Sequence, residues 1–350
     1  MKYIDLFAGI GGFHIALDNN GCECVFTSEI DPFCQKVYND NFGIIPEGDI
    51  TKIDAKSIPD FDILAAGFPC QPFSYAGKLE GFSDKTRGTL FFDVVRILKE
   101  KQPKMFLLEN VKGIVSHDHG RTIKTIEETL SDIGYHFYWT VLDSHEFGVP
   151  QHRHRWYCVG FDKRIRFSFP KGTNPNTTLK DIVNLDDNDP SLKLTKFECD
   201  RIDYHFANAT PGARVKHDNS KYGPNTKKGK YGIYSFQKPD GSLRFHVGDF
   251  AKTQIQEAYY CSLDSVSPAI IAARSPKLLE CRRHLSILEC KRLQGFPDDF
   301  IMNESGQQAR KQLGNSVTIS VIDAIVKKML QAYEEGKQAP KTITLDDYYE

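Results

Sequence analysis

From Lys2 to about Asp162 the chain alternates short apolar, strand-like runs with amphipathic helical ones, and no other feature narrows the fold as far. Residues 3–7, 24–28, 62–66, 105–108, 138–142 and 157–160 read as strands, and residues 12–19, 32–41, 90–99 and 121–133 as helices. Strand, helix and strand in that rhythm make βαβ units. Such units predict an α/β class: a doubly wound, mostly parallel sheet with helices on both faces. Ligands of such sheets lie beyond the carboxyl ends of the strands. After Phe169 the texture changes. Residues 170–275 are rich in Gly, Pro, Asn, Asp and Lys, with short aromatic runs such as 231–236 and a turn signal at Pro239-Asp240-Gly241-Ser242. Helical patterning returns over 287–293 and 317–333. The expected organisation is a first domain over 1–169, a smaller loop-rich, β-containing domain over 170–284, and C-terminal helices over 285–350 that return to the first domain from about 312.

The chain has 350 residues, 40% of them hydrophobic and 26% charged, an ordinary globular composition. No apolar stretch has the length that spans a membrane, and the N-terminus starts a strand at once, without the signature of a signal peptide. Nine scattered cysteines with no C-x-x-C pair argue against a disulfide framework and against a zinc site, so no metal is expected and a cytoplasmic location fits best. The net charge of −1 hides an uneven distribution. Residues 210–252 hold nine Lys or Arg against three Asp, which is a footprint for nucleic acid or simply a solvated face.

Three constellations carry chemistry. Asp5-Leu6-Phe7-Ala8-Gly9-Ile10-Gly11-Gly12-Phe13 is a strand, a glycine-rich turn and a helix start, which lets a ligand approach the backbone closely. Glu29 ends the next strand, where a carboxylate can hold ribose hydroxyls, and Asp49 follows one unit later, placed to take an adenine amino group. With no Walker lysine, the ligand implied is a nucleoside without a triphosphate; a bare dinucleotide site stays open on these residues alone. Gly67-Phe68-Pro69-Cys70-Gln71-Pro72-Phe73-Ser74 puts a cysteine just past a strand end on a rigid turn, a position for a nucleophilic thiolate. Glu109-Asn110-Val111 directly follows the strand 105–108. In Gln151-His152-Arg153-His154-Arg155-Trp156-Tyr157, a period of two puts Arg153, Arg155 and Tyr157 on one face, with the arginines as candidate donors to a carbonyl oxygen.

These motifs, in this order, resemble those of the DNA cytosine-5 methyltransferases of the small bacterial restriction–modification type, in the first half those of the HhaI-like members. Arg87-Gly88-Thr89-Leu90-Phe91-Phe92-Asp93, Arg292-Leu293-Gln294-Gly295-Phe296-Pro297 and Gln312-Leu313-Gly314-Asn315-Ser316-Val317 extend the match over nearly the whole chain, leaving out only 170 to about 265. The resemblance implies a methyltransferase fold and transfer of a methyl group from S-adenosylmethionine, leaving S-adenosylhomocysteine, to C5 of a cytosine flipped out of duplex DNA. It implies that Cys70 attacks C6, that Glu109 protonates or hydrogen-bonds N3, and that Arg155 holds O2 with Arg153 in support. Phe7, Gly9, Ile10 and Gly11 would shape the cofactor pocket and Glu29 would bind the ribose. Ile30, Asp49 and Ile50 would border the adenine, Pro69 and Leu90 would line the pocket, and Asn315 and Val317 would complete it. Residues 75–88 become a loop closing over the flipped base, and 170–284 the target-recognition domain. A monomer working beside a cognate restriction endonuclease, with no membrane partner, completes the expectation. One departure stands out: the family's Thr followed by an aliphatic residue aligns here with Ile271-Ala272. A tRNA-directed enzyme on the same catalytic domain is the first rival, and the long basic insert argues against it. A catalytically dead DNA-binding regulator is countered by intact Cys70, Glu109, Arg153 and Arg155. A nicotinamide dehydrogenase leaves Pro-Cys-Gln and Gln-x-Arg-x-Arg unexplained.

Overall fold

A computed structural model describes residues 1–69, 90–173, 176–210, 213–217, 232–249, 252–272, 275–303 and 305–338. Cys70, the loop 75–88 and the lysines at 227, 228 and 230 lie outside the described residues. The chain divides into two compact units. The first comprises Met1–Glu146, His154–Thr173 and Ser316–Glu350, the second Phe147–Arg153 and Asn174–Asn315.

The first unit begins with β1 (Lys2–Leu6), α1 (Gly12–Asn19), β2 (Glu23–Ser28), α2 (Pro32–Phe42), β3 (Ile63–Gly67), α3 (Phe91–Lys101), β4 (Met105–Val111), α4 (Arg121–Asp132) and β5 (His136–Asp143). The two-residue β6 (Gln151–His152) belongs to the second unit, and β7 (His154–Phe161) returns to the first. The sheet order is β2-β1-β3-β4-β7-β5. β1 pairs parallel with both β2 and β3, and β3 pairs parallel with β4; β7 runs antiparallel between β4 and β5. The strand order therefore reverses at β1, where a doubly wound sheet opens a crevice for ligands. Ile4, Leu6, Leu64, Ala66, Phe106 and Leu108 alternate onto one face and bury against Val94, Ile97 and Leu98 of α3 in one core.

Local chemistry explains the helix ends. Asp31 caps α2 by accepting from the Phe33 N–H, and Pro32 opens the helix, where a missing N–H costs nothing. Behind the glycine turn, the other face of β1 is polar. The Tyr3 hydroxyl donates to Asp18 Oδ1 at 2.8 Å, and His14 meets Tyr38 at 2.6 Å and Asp18 at 3.1 Å.

The second unit holds α5 (Lys196–Asn208), β8 (Val215–His217), β9 (Gly232–Gln237), β10 (Leu243–Asp249), β11 (Lys252–Cys261), β12 (Ser267–Pro268), β13 (Lys277–Leu278), β14 (Arg283–His284), α6 (Ile287–Gln294) and α7 (Gly306–Asn315). Its sheet runs β14-β13-β11-β10-β9-β8, and β12 pairs with β6. α5 covers one face. Ile202 joins Ile233, Leu243, Phe245 and Tyr260 in a core, and buried Ser235 bridges His205 of α5 at 2.7 Å and His217 of β8 at 2.6 Å. α5 and α7 fall outside the helices expected from the sequence.

The chain closes with α8 (Ile319–Gln338), which belongs to the first unit and packs on α1. Asn20 donates to Asp323 at 2.9 Å, and a Cβ on Gly12 would come within 2.7 Å of Val317 Cγ2, so glycine is what admits the returning chain there.

Candidate functional site

The glycine-rich turn follows β1 with three consecutive features of a tight approach. Phe7 takes φ +57, Gly9 φ +56 and Gly11 φ +91. A phenylalanine in the left-handed region is uncommon, and such strain concentrates at ligand sites. At Gly11 a Cβ would come within 2.2 Å of the Phe42 ring, so any other residue would have to push that ring aside as well as take a left-handed backbone.

Glu29, at the end of β2, ties this turn to the next loop. Its Oε2 accepts from the Gly9 N–H and its Oε1 from the Asp31 N–H, both at 2.8 Å. An ionised carboxylate offers about four acceptor sites, so each oxygen keeps capacity for a hydroxyl. Ile30 beside it is 69% exposed although large and apolar, as suits a surface that a flat ring covers, whereas Ile50 is buried. Asp49 accepts from the Thr51 hydroxyl at 2.7 Å and the Thr51 N–H at 3.0 Å, and these bonds lower its pKa. Ile10 is buried, Phe7 and Leu90 are half-buried, and Pro69 is exposed. These carboxylate acceptors and apolar surfaces suit a nucleoside with vicinal hydroxyls. Val317 stands in the same unit; Asn315 does not, since it ends α7 in the second unit. Beneath the turn Asp5 is fully buried, and neither carboxyl oxygen has a hydrogen-bond partner. Burial, then the charge of Glu29, push its carboxyl well above the ordinary aspartate range.

The second cluster sits at the ends of β3, β4 and β7. Glu109 was expected just after a strand. It instead lies inside β4, because that strand continues to Val111 by pairing with β7. Glu109 is flanked by Gly67 on β3 and Tyr157 on β7, and a Cβ on Gly67 would stand 3.5 Å from Glu109 Oε2. Arg155 Nε lies 3.1 Å from Glu109 Oε1, with both side chains nearly buried. Buried Asn110 donates to the Phe68 carbonyl at 2.8 Å, fixing the backbone two residues before Cys70. Motif membership singled out Asn110, but only the fold reveals this anchoring.

Arg153, expected on one face with Arg155 and Tyr157, is buried and belongs to the second unit, whereas those two belong to the first. It falls between β6 and β7, outside either strand. Its buried guanidinium donates to the carbonyls of Ile270 at 2.8 Å and Gly314 at 3.0 Å, all within the second unit. Gln151 extends this lattice: its Nε2 donates to Leu293 O at 3.0 Å, and its Oε1 accepts from the Ile270 N–H at 2.8 Å. Gln294 donates to Leu313 O at 2.8 Å. Three motifs distant in sequence thus meet as one buried polar network. Gly314 is its tightest point, where a Cβ would lie 2.3 Å from the Ile271 carbonyl carbon and 2.5 Å from the Ala272 nitrogen. Gly314→Ala is therefore expected to destabilise the protein by about 1–3 kcal/mol, the usual cost of overpacking. Denaturant unfolding reads this directly, and a midpoint equal to the parent's would contradict it.

Among the described residues no helix is long and apolar enough to cross a membrane. The family model for C-5 cytosine-specific DNA methylases matches residues 1–331. Among curated proteins, the Type II methyltransferase M.HhaI of Haemophilus parahaemolyticus is 39% identical over 329 residues, 93% of this chain and 93% of that protein. M.NgoBI of Neisseria gonorrhoeae is 42% identical over 327 residues, 93% of this chain and 92% of that one. M.MspI of Moraxella sp is 38% identical over 345 residues, 97% of this chain and 73% of that one. The solved structure of S. pombe Dnmt2 methyltransferase superposes with a TM-score of 0.67 at 17% identity, covering 95% of this chain and 98% of that one, a likeness of fold.

Proposed function

Since the chain belongs to the C-5 cytosine-specific DNA methylase family, whose members methylate cytosine C5 in DNA with S-adenosylmethionine, we propose that Cys70, Glu109 and Arg155 carry that chemistry here. The observation that carries this reading is the Glu109–Arg155 pair at 3.1 Å, beside the end of the strand that leads to Cys70.

Cytosine C5 is a poor nucleophile. Bond formation between the Cys70 sulfur and C6 pushes electrons into the ring, making C5 enamine-like. Glu109 delivers a proton or a hydrogen bond to N3, so the charge does not build up on the ring. Arg155 holds O2; a guanidinium has five N–H donors, which Glu109 and the His154 carbonyl do not exhaust. Bound S-adenosylmethionine supplies the methyl group as an electrophile. Loss of the C5 proton and departure of the Cys70 thiolate restore the aromatic ring. The target base must leave the duplex stack for this geometry. Phe7, Gly9, Ile10, Gly11 and Glu29 would hold the cofactor's methionine and ribose portions, with Ile30, Asp49, Ile50, Pro69, Leu90 and Val317 around the rest and Asn315 as a further candidate. Arg153 acts as a positioning residue, since its guanidinium is spent on two backbone carbonyls.

Residues 170–284 are assigned to recognition of the DNA target, and the chain to the modification half of a restriction–modification system, a monomer acting on duplex DNA. The curated relatives named above are all Type II methyltransferases. Bisulfite sequencing of a plasmid co-expressed with the protein tests activity and site together. Cytosines protected in one short recurring context are expected. An unprotected plasmid alongside newly methylated tRNA would overturn the assignment of substrate.

A further inference from the structure

Behind the glycine turn lies a chain of polar groups that the mechanism does not use. Tyr3, His14 and Tyr38 are buried, and Asp18, with its side chain about half exposed, joins them to solvent. The Tyr3 hydroxyl donates to Asp18 Oδ1 at 2.8 Å, His14 Nε2 lies 3.1 Å from Asp18 Oδ2, and His14 Nδ1 lies 2.6 Å from the Tyr38 hydroxyl. Burial lowers the pKa of His14 against the pull of Asp18, so the ring is neutral. A carboxylate only accepts. Nε2 therefore carries the proton and donates to Asp18, and Nδ1 accepts from the Tyr38 O–H. Phe42, one turn further along α2, lies against the same imidazole, with ring centroids 3.9 Å apart, and its ring is 4.7 Å from that of Tyr38.

These rings support the cofactor turn. A Cβ on Gly11 would come within 2.2 Å of the Phe42 ring and 3.3 Å of the Tyr38 ring, so the Gly11 backbone rests directly on them. The start of α2 holds the other arm of the site. The Glu29 carbonyl accepts from Gln35 Nε2 at 2.5 Å, and Glu29 Oε1 accepts from the Asp31 N–H at 2.8 Å. Glu29 Oε2 in turn accepts from the Gly9 N–H. A slide of α2 would thus shift the seat of Gly11 and Glu29 together. His14 stands on α1, the helix that begins at Gly11, and its bond to Tyr38 ties α2 to α1. We propose that His14 is a positioning residue for the cofactor site: by linking Asp18 to Tyr38 it fixes α2 against α1, and so holds the Gly9–Gly11 turn and Glu29 in the shape that receives S-adenosylmethionine. The inference rests on the reading of this turn as the cofactor site, and it adds a residue outside that site which sets its geometry.

Tyr38→Phe removes one hydroxyl and keeps the ring on which Gly11 rests. It is expected to raise the dissociation constant of S-adenosylmethionine for the full chain by about three- to tenfold, the span that one buried hydrogen bond contributes. KM for the cofactor should rise by the same factor, with kcat at saturating cofactor nearly unchanged. His14→Leu should weaken binding at least as much. His14→Gln should stay near the parent, because an amide offers one acceptor and one donor as neutral imidazole does. Amide hydrogen exchange of the cofactor-free protein is the second readout. The Gly9 N–H, bonded to Glu29, and the Gly11 N–H, bonded to the Ala8 carbonyl, should exchange faster in Tyr38→Phe than in the parent. If His14→Leu fails to fold, Tyr38→Phe still decides the matter. A parental dissociation constant in Tyr38→Phe would overturn the proposal, as would a fall in kcat with KM unchanged. So would binding by His14→Gln as weak as that of His14→Leu, which marks ring packing instead of the hydrogen bonds. A parent protein that binds no S-adenosylmethionine would fault the underlying reading, and the exchange of Gly9 and Gly11 would still show whether His14 steadies the turn.

Discussion

Cys70→Ala protein is expected to leave co-expressed plasmid DNA unmethylated while still binding duplexes. The expectation follows from the electron flow: without a bond at C6, C5 has no enamine character and cannot take the methyl group. A substrate carrying 5-fluorocytosine separates this from a general loss of activity. Fluorine cannot leave C5 as a proton does, so the parent should stall as a covalent protein–DNA complex that survives denaturing electrophoresis and requires S-adenosylmethionine. The Cys70→Ala variant should give no such band. Methyl transfer at a measurable rate by that variant would remove the covalent step from the mechanism.

Glu109→Gln is expected to slow single-turnover methyl transfer by about 10²–10⁴-fold, the range of a general acid, with cofactor affinity nearly unchanged. Two structural facts shape the expectation. Glu109 lies inside β4 with neighbours on both sides, so an isosteric amide keeps the packing. It is also paired with Arg155, so the amide removes an ion pair as well as an acid. Comparison with Arg155→Lys divides the two effects, since that variant keeps a charge beside Glu109 and loses the guanidinium fork. A Glu109→Gln loss smaller than about threefold would mean that another group supplies the proton, contrary to general acid catalysis at this position.

The alternating sheet of the first unit was legible because buried parallel strands are continuous apolar runs, and the intervening helices carry an apolar stripe. The glycine turn and Glu29 were legible for a related reason, as their sequence spacing is their spatial spacing along one βαβ unit. The misses have physical causes. α5, KFECDRIDYHFAN, buries only Ile202 and His205, so no stripe announces it. Its readable sign was the capping box, Thr195 with Glu198 three residues on. α7 is comparably polar, and its buried Gln312 and Gly314 serve packing between distant segments. Arg153 shows the limit of periodicity. Its guanidinium meets the carbonyls of Ile270 and Gly314, which come from distant segments that no local pattern encodes. The ion pair of Glu109 with Arg155 likewise depends on an antiparallel strand inserted in a parallel sheet.

The packing of α1 on α8 has a bearing on how the protein comes to exist in the cell. The partners Asn20 and Asp323 are 303 positions apart, and Gly12 waits for Val317. At a synthesis rate of about 5–20 residues per second, α1 leaves the ribosome roughly 15 to 60 seconds before its cover does. During that interval the surface that α8 will occupy on α1 is open to solvent and to other nascent chains. The chain also passes between its two units four times, after Glu146, Arg153, Thr173 and Asn315, so neither unit is one uninterrupted stretch that can be finished early. Completion of the first unit therefore waits until the chain beyond Ser316 has been made. Truncations that stop before Ser316 should accumulate as aggregates rather than as a smaller working enzyme, and the fraction of newly made chains that becomes active should depend on elongation rate and on chaperones that shield α1.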